Sequence, residues 1–457
     1  MEKDPNAPKG SICTRIIFVL FGIASLLGWN ALITEIPFFL HYVPGIKPDV
    51  SMSFLNYAPN IIFQFILLLK RDLIPLKVQL IVGIIGSIAF LIIIPLFTML
   101  LAIDSFMNKF LTCLFIILLG FINALCSGGF FSLVTHFPLE MIVSLSSGQG
   151  FSGIAMNIIQ YIVLAAIKGD SESAINKRAW VFFAVSAFIL AVCLVLLLVS
   201  FNREYFQYYL NRTDKNNEIE KDSQIKSLAH LKNETMANLE NLKNENNLNN
   251  LNNLQKVENN GQVVNIEQSE ANLKNPNVKT QLTFCELFKR LWDLDLIVVL
   301  IYGVTFTLFP YATINQKLFG LNFNYSSNTI ILIYNAFDTI GRYIVELFTP
   351  NKRTNIINAF SRIALIFFII FNFYGQDGLG WNVNVTSVLI IIFTLLLGLT
   401  NGIGTTLCFG LAPNEIIEPE YKGQAGSSIS FFLIVGIFLG ACIAFGTEAI
   451  IKTFRKN

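Results

Sequence analysis

Apolar residues run in long unbroken blocks along this chain, separated by short polar breaks. The blocks fall near 16–38, 53–69, 78–102, 110–137, 141–167, 179–201, 293–314, 328–348, 357–375, 385–411 and 425–450. Each is close to the ~17–25 residues that a tilted helix needs to cross ~30 Å of hydrocarbon. Continuous runs, rather than alternating apolar and polar residues, predict helices and exclude barrel strands. The expected fold is therefore all-α: a polytopic membrane protein with about eleven transmembrane helices. The first block is too long for a cleavable signal peptide and lacks its small-residue pattern, so it reads as the first span.

One polar stretch, 203–284, interrupts the blocks. It has mixed charge and a strong Asn bias, most visible over residues 244–254. So little apolar surface cannot offset the entropy of ordering, and the stretch reads as a disordered cytoplasmic linker. It divides the chain into an N-terminal half (1–202) with six spans and a C-terminal half (285–457) with five. Cys285–Trp292 reads as an interfacial helix leading into the seventh span.

Charge in the connections sets the orientation. With the N-terminus inside, the inner connections hold Lys70, Arg71, Lys77, Arg203, Lys289, Arg290, Lys352, Arg353 and Lys422. The outer ones hold Lys47, Lys109, Lys168, Lys177, Arg178 and Lys317. The balance favours a cytoplasmic N-terminus, although Lys452, Arg455 and Lys456 of the tail then fall outside. The sequons at Asn324 and Asn384 also fall outside, and those at Asn211 and Asn233 inside.

Composition agrees. Charged residues make up 14% of the 457 positions, against about 25% in soluble domains, and mean hydropathy is +0.59. A net charge of +2 points to no nucleic-acid partner. The seven cysteines and three histidines form no ligand spacing, so no metal or disulfide framework is expected. No GxxxxGK[ST] loop, HExxH or GxSxG is present; neither a cofactor nor an enzyme active site is expected.

Polar residues inside the spans carry the candidate chemistry. The eighth span holds Asn335, Asp338 and Arg342. Asp338 and Arg342 are four apart and so share a helix face. A charge near the centre of a span costs roughly 2.5–3.5 kcal/mol on insertion scales. Such a pair either locks two helices together or marks a pathway. The first span holds Trp29 and Asn30 about fourteen residues in, which is near mid-depth at ~1.5 Å per residue. The second span carries Asn56, Asn60 and Gln64 at i, i+4 and i+8, an amide stripe that either lines a cavity or glues helices. The fourth holds Asn123 and Ser127, and the tenth Asn401. The fifth and eleventh open alike, with Gly148-Gln149-Gly150 and Gly423-Gln424-Ala425. Glu35 is a further carboxylate at membrane depth.

These motifs resemble the equilibrative nucleoside transporters. The resemblance rests on Trp29-Asn30, Gly148-Gln149-Gly150 with Gly153, Phe309-Pro310, Asn335-x-Phe337-Asp338-x-x-Gly341-Arg342, Asn401-Gly402, Ala425-Gly426 and Phe431-Phe432. It implies a major-facilitator-like arrangement with one helix missing (6+5), and facilitative transport of nucleosides, with nucleobases as further candidates, around a midplane site. It implies that Asp338 and Arg342 contact the nucleoside, that Asn335 supports them, that Trp29 lies beside the site with Asn30, and that Gly148 and Gly153 tolerate little bulk. Ser127 stands where many members carry a base-contacting glutamine, and Ile33 where a methionine is frequent. Asn60, Gln149 and Asn401 are expected to support or gate. Proton coupling, or another small polar solute such as a sugar, is the alternative reading. The plasma membrane is the expected location.

Overall fold

The computed structural model describes residues 8, 10–70, 73–169, 171–210, 283–309, 313, 316–321, 323–347, 351–377, 380–416, 418 and 421–456. The Asn-rich stretch and Pro310 lie outside these residues, as do the Asn211 and Asn233 sequons and the Asn324 side chain.

The described elements are helical. In chain order they are α1 (Ile12–Thr34), α2 (Ile36–Tyr42), α3 (Pro48–Leu69), α4 (Leu76–Leu100), α5 (Phe106–Val134), α6 (Leu139–Ala166), α7 (Glu172–Ser200), α8 (Phe284–Leu308), α9 (Phe323–Ile344), α10 (Lys352–Ser361), α11 (Ile363–Asp377), α12 (Val383–Leu411) and α13 (Lys422–Lys456). Side-chain oxygens of Ser11, Ser105 and Ser171 accept from the first-turn amides of α1, α5 and α7, and Asn382 does so for α12. Each such cap contributes about 1 kcal/mol.

Among the described residues ten helices are long and apolar enough to cross a membrane. The one expected span not among them, the eighth (α9), falls short on composition because Asn335, Asp338 and Arg342 interrupt it. It lies between α6 and α12, the two helices it packs against. Three boundaries differ from expectation. The first block breaks at Glu35, where Pro37 opens the short α2. The ninth block starts earlier, at Lys352, and breaks at Arg362. Cys285–Trp292 is not a separate interfacial helix. Leu287, Leu291, Leu294 and Val298 form one buried stripe, so the segment is the first part of α8.

The end where α1 begins is here called the proximal end. Phe18, Phe21, Phe137 and Phe206 pack there, with the Phe18 and Phe206 rings stacked at 5.4 Å. Aromatic pairs of this kind contribute about 0.5–1.5 kcal/mol beyond their burial. A second core joins α8, α9, α11 and α12 through Val304, Leu308, Ile330, Ile369, Ile390 and Leu397. Many large apolar residues, among them Ile62, Phe188, Val195 and Phe367, face outward, as a lipid-facing surface requires.

The N-terminal helices α1–α7 meet the C-terminal helices α8–α13 chiefly where α6 packs on α9, and where α3 and α5 pack on α13. Close approach has a local cause. α1 crosses α6 at Gly22 and Gly148, where a Cβ on Gly148 would lie 2.1 Å from the Val19 carbonyl oxygen. α9 crosses α12 at Gly402, where a Cβ would lie 2.0 Å from the Asp338 carbonyl oxygen.

Candidate functional site

A cavity of about 140 Å³ opens between the two sets of helices. A single water takes ~10–15 Å³ by the same measure, so there is room for a solute of many atoms. Trp29, Asn30, Ile33, Asn60, Ser127, Gln149, Gly153, Asn335, Asp338, Arg342 and Asn401 all line it. Of the polar and small residues singled out in the sequence, Gly148, Gln64 and Glu35 are among those that do not. Gly148 packs against α1 and sets the α1–α6 distance.

One pole is charged. Arg342 Nε donates to Asp338 Oδ2 at 2.8 Å, and both side chains are almost fully buried. Asn401 Nδ2 on α12 donates to Asp338 Oδ1 at 2.7 Å. The same guanidinium reaches across to α6. Its Nη1 donates to the Ser146 carbonyl and hydroxyl at 2.9 and 2.7 Å, and to Gln149 Oε1 at 3.3 Å. Gln149 Nε2 in turn donates to Ser25 of α1 at 3.1 Å. The pair is therefore both a lining group and a strut between the halves. Asn335 packs on Gly153, where a Cβ would lie 2.4 Å from its amide nitrogen.

The other walls are flat and apolar, with amides behind them. Trp29 meets Tyr57 edge-on at 4.8 Å, and Tyr57 meets Phe306 at 6.2 Å. Phe309 stacks on Tyr334 at 4.3 Å. Asn30 Nδ2 donates to Ser152 at 3.1 Å, tying α1 to α6. Behind the rings Gln64 Nε2 donates to Asn60 Oδ1 at 3.0 Å and to Ser127 at 3.2 Å, while Ser127 donates to the Asn123 carbonyl at 2.8 Å. Ser127 thus lines the cavity with its hydroxyl already engaged. Asn123 Nδ2 donates to Asn56 Oδ1 at 3.3 Å. That leaves Asn56 Nδ2 buried, beside the cavity and without a partner among the described residues.

Several lining residues were not singled out in the sequence. Tyr302, Phe306 and Tyr334 look like ordinary core aromatics there, and no spacing distinguishes them. Arg362, which lies behind the lining rather than in it, had a legible signal. It is a charge inside the ninth apolar block, the same feature that marked Asp338.

At the proximal end the cavity is closed. The Phe131 and Phe409 rings stack at 3.6 Å and 5°. Beyond them Arg15 pairs with Glu140 and Glu346 at 3.3 Å each. Arg290 donates to both Glu418 oxygens at 2.6 and 3.1 Å, and this holds the Glu418 carboxyl below the usual carboxylate range. Lys352 bonds Asp293 and Glu415.

Among the described residues no group of three His, Cys, Asp or Glu side chains could hold a metal ion. The lining offers charge and hydrogen-bonding groups at one pole and flat, apolar contact at the other.

The sequence model of the nucleoside transporter family matches residues 113–449. The chain belongs to the nucleoside transporter family. It is 24% identical to equilibrative nucleotide transporter 2 of Arabidopsis thaliana over 95% of each chain. It is likewise 24% identical to human equilibrative nucleoside transporter 2, over 98% of this chain and 99% of that one. The fold is that of the major facilitator superfamily. The proton:xylose symporter XylE matches with a TM-score of 0.59 at 13% identity, over 93% of this chain and 87% of that one. The E. coli fucose:proton symporter FucP matches with 0.54 at 12% identity, over 98% and 94%. The chain is a membrane transporter and not an enzyme.

Proposed function

We propose that the protein carries nucleosides down their gradient by alternating access, the two halves rocking about the central cavity. The observation that carries this reading is the pairing of a buried Asp338–Arg342 pole with the flat wall of Trp29, Tyr57 and Phe306. Asp338 has lone pairs left to accept from ribose hydroxyls. Arg342 supplies planar donors and is held in charge balance by Asp338. Trp29 gives the base a face. Asn335, Asn30, Asn60, Gln149 and Asn401 hold these groups in place. The N-terminal half (1–202) and the C-terminal half (285–457) are the moving bodies, joined by the 203–284 linker. The connection charges favour a cytoplasmic N-terminus, and the plasma membrane is the default setting of this reading.

The test is uptake of labelled adenosine, inosine, hypoxanthine and xylose into oocytes that express the chain. Saturable nucleoside flux is expected; its absence above controls overturns the reading. Proton coupling is a second reading, favoured by Glu35. That carboxylate is buried at the end of α1, just past Thr34 of the cavity wall, and its Oε1 has no partner. Uptake that rises severalfold when a proton gradient is imposed would support it; equal uptake with and without the gradient supports uncoupled facilitation.

A further inference from the structure

Arg362 is fully buried at the break between α10 and α11, and it is the largest side chain in the described interior with so little exposure. A buried guanidinium is costly unless it is paired. Yet among the described residues no carboxylate lies within ion-pairing distance of it. Its partners are neutral oxygens. Nη1 donates to the Leu397 carbonyl at 3.0 Å and to the Thr400 hydroxyl. Nη2 donates to the Thr305 hydroxyl, to the Ile301 carbonyl at 3.4 Å and to Asn401 Oδ1 at 3.5 Å. Thr305 donates to the same Asn401 oxygen at 2.8 Å.

This fixes the direction of one amide. The Asn401 side chain has an acceptor end and a donor end. Its oxygen faces the Arg362 charge and the Thr305 hydroxyl, so its nitrogen must face Asp338, to which it donates at 2.7 Å. The chain of contacts runs Arg342, Asp338, Asn401, Arg362, with signs alternating along it: cation, anion, amide dipole, cation. A carboxylate held at both oxygens, by Arg342 on Oδ2 and Asn401 on Oδ1, has one orientation. Of these four residues, Arg342, Asp338 and Asn401 line the cavity. Arg362 stands behind it.

We propose that Arg362 is a positioning residue for solute recognition. Acting through Asn401, it fixes the orientation in which the Asp338 carboxylate meets the hydroxylated end of the solute. This rests on the nucleoside reading given above. A framework role alone would need only a side chain that fills the space between α8 and α12. A positioning role makes the identity of the residue matter to selectivity.

The test compares adenosine with its 2′-deoxy and 3′-deoxy analogues in proteoliposomes carrying the wild type, Arg362→Met or Arg362→Lys. A site that hydrogen-bonds a hydroxyl discriminates against an analogue that lacks it. The wild type is expected to prefer adenosine over at least one deoxy analogue by roughly tenfold or more in kcat/KM. Arg362→Met is expected to raise the KM for adenosine and leave that for the analogue nearly unchanged, so that the ratio falls towards one. Arg362→Lys keeps a charge on the Asn401 oxygen and should recover part of the ratio. Uptake of both solutes lowered by the same factor, with the ratio kept, would make Arg362 a framework residue and overturn the proposal. Should Arg362→Met fail to reach the membrane, Asn401→Leu cuts the same chain with Arg362 intact. It must collapse the ratio too, and an unchanged ratio overturns the proposal. A wild type that carries no nucleoside overturns the transport reading and this proposal together. A wild type that carries nucleosides without preferring the hydroxylated form overturns this proposal alone.

Discussion

Asp338 sits where three side chains from three elements converge: Arg342 of α9, Asn401 of α12 and, behind the amide, Arg362. Asp338→Asn preserves shape but leaves the Arg342 guanidinium buried without its counter-charge. Breaking a buried pair from one side costs about 3–5 kcal/mol, and the acceptor for hydroxyls is lost as well. We expect uptake to fall at least ~tenfold with the protein still at the surface, measured as flux per surface-labelled molecule; normal flux would remove the pair from the site. At the opposite wall, Ser127 and Asn56 behave differently. Ser127 spends its hydroxyl on the Asn123 carbonyl and on Gln64, so Ser127→Ala should cost about 1 kcal/mol of stability and leave the ratio of purine to pyrimidine uptake unchanged. Asn56 has a buried amide donor with nothing to bond among the described residues. Asn56→Ala should therefore shift that ratio, and competition between adenosine and uridine uptake measures it. This scale also marks how far the sequence could be read. A charge in an apolar block is expensive wherever it lies, so Asp338 and Arg342 announced themselves. Ser127 did not announce that its hydroxyl was taken, because that depends on which helix turn faces Gln64.

The helices themselves were legible because continuous apolar length is a strong signal, but their breaks were not. The first block splits at Glu35 and the ninth at Arg362, each a lone charge inside an apolar run long enough to read as one span. α9 is read as a span from the apolar block at 328–348, although it is too polar to be among the ten helices long and apolar enough to cross a membrane. What makes it fit is its contact with α12 along Gly398 and Gly402. There the two backbones touch, and a Cβ at 402 would meet the Asp338 carbonyl at 2.0 Å and the Arg342 amide nitrogen at 2.9 Å. Gly402→Ala must push α9 away from α12 at the turn that carries the ion pair. Overpacking of this kind costs about 1–3 kcal/mol, and the displacement separates Asn401 from Asp338. Gly303 on α8 is the control. A Cβ there meets only the Gly436 carbonyl oxygen, at 3.9 Å, and helix propensity favours Ala over Gly by about 1 kcal/mol. Thermal melting in detergent should show Gly303→Ala equal to or above the wild type and Gly402→Ala below it, with uptake lost only in the latter. Equal melting of the two would mean that α9 and α12 separate without cost.

For the whole molecule the question is what holds the proximal end shut. Two devices join the halves there, the Phe131–Phe409 stack and the pair of Arg15 with Glu346, and their magnitudes decide between them. Arg15 is about a third exposed, at 36%, and exposed ion pairs contribute only about 0.2–1 kcal/mol. The two rings are almost fully buried, and removing a buried Phe side chain costs about 3–5 kcal/mol. Contacts between the halves at one end exist only while that end is closed. Their loss therefore appears as a change in the balance of states rather than as general instability. A change of ~3 kcal/mol shifts such a balance by more than a hundredfold, whereas ~0.5 kcal/mol shifts it about twofold. Phe409→Ala should therefore populate a proximally open form, and Arg15→Gln should barely do so. Hydrogen exchange in the last turns of α5 and α12, ending at Val134 and Leu411, distinguishes the two. Fast exchange there in Phe409→Ala, with near wild-type protection in Arg15→Gln, places the gate in the aromatic stack. The reverse order would place it in the ion pair and would make transport sensitive to salt, because screening weakens exposed pairs far more than buried rings.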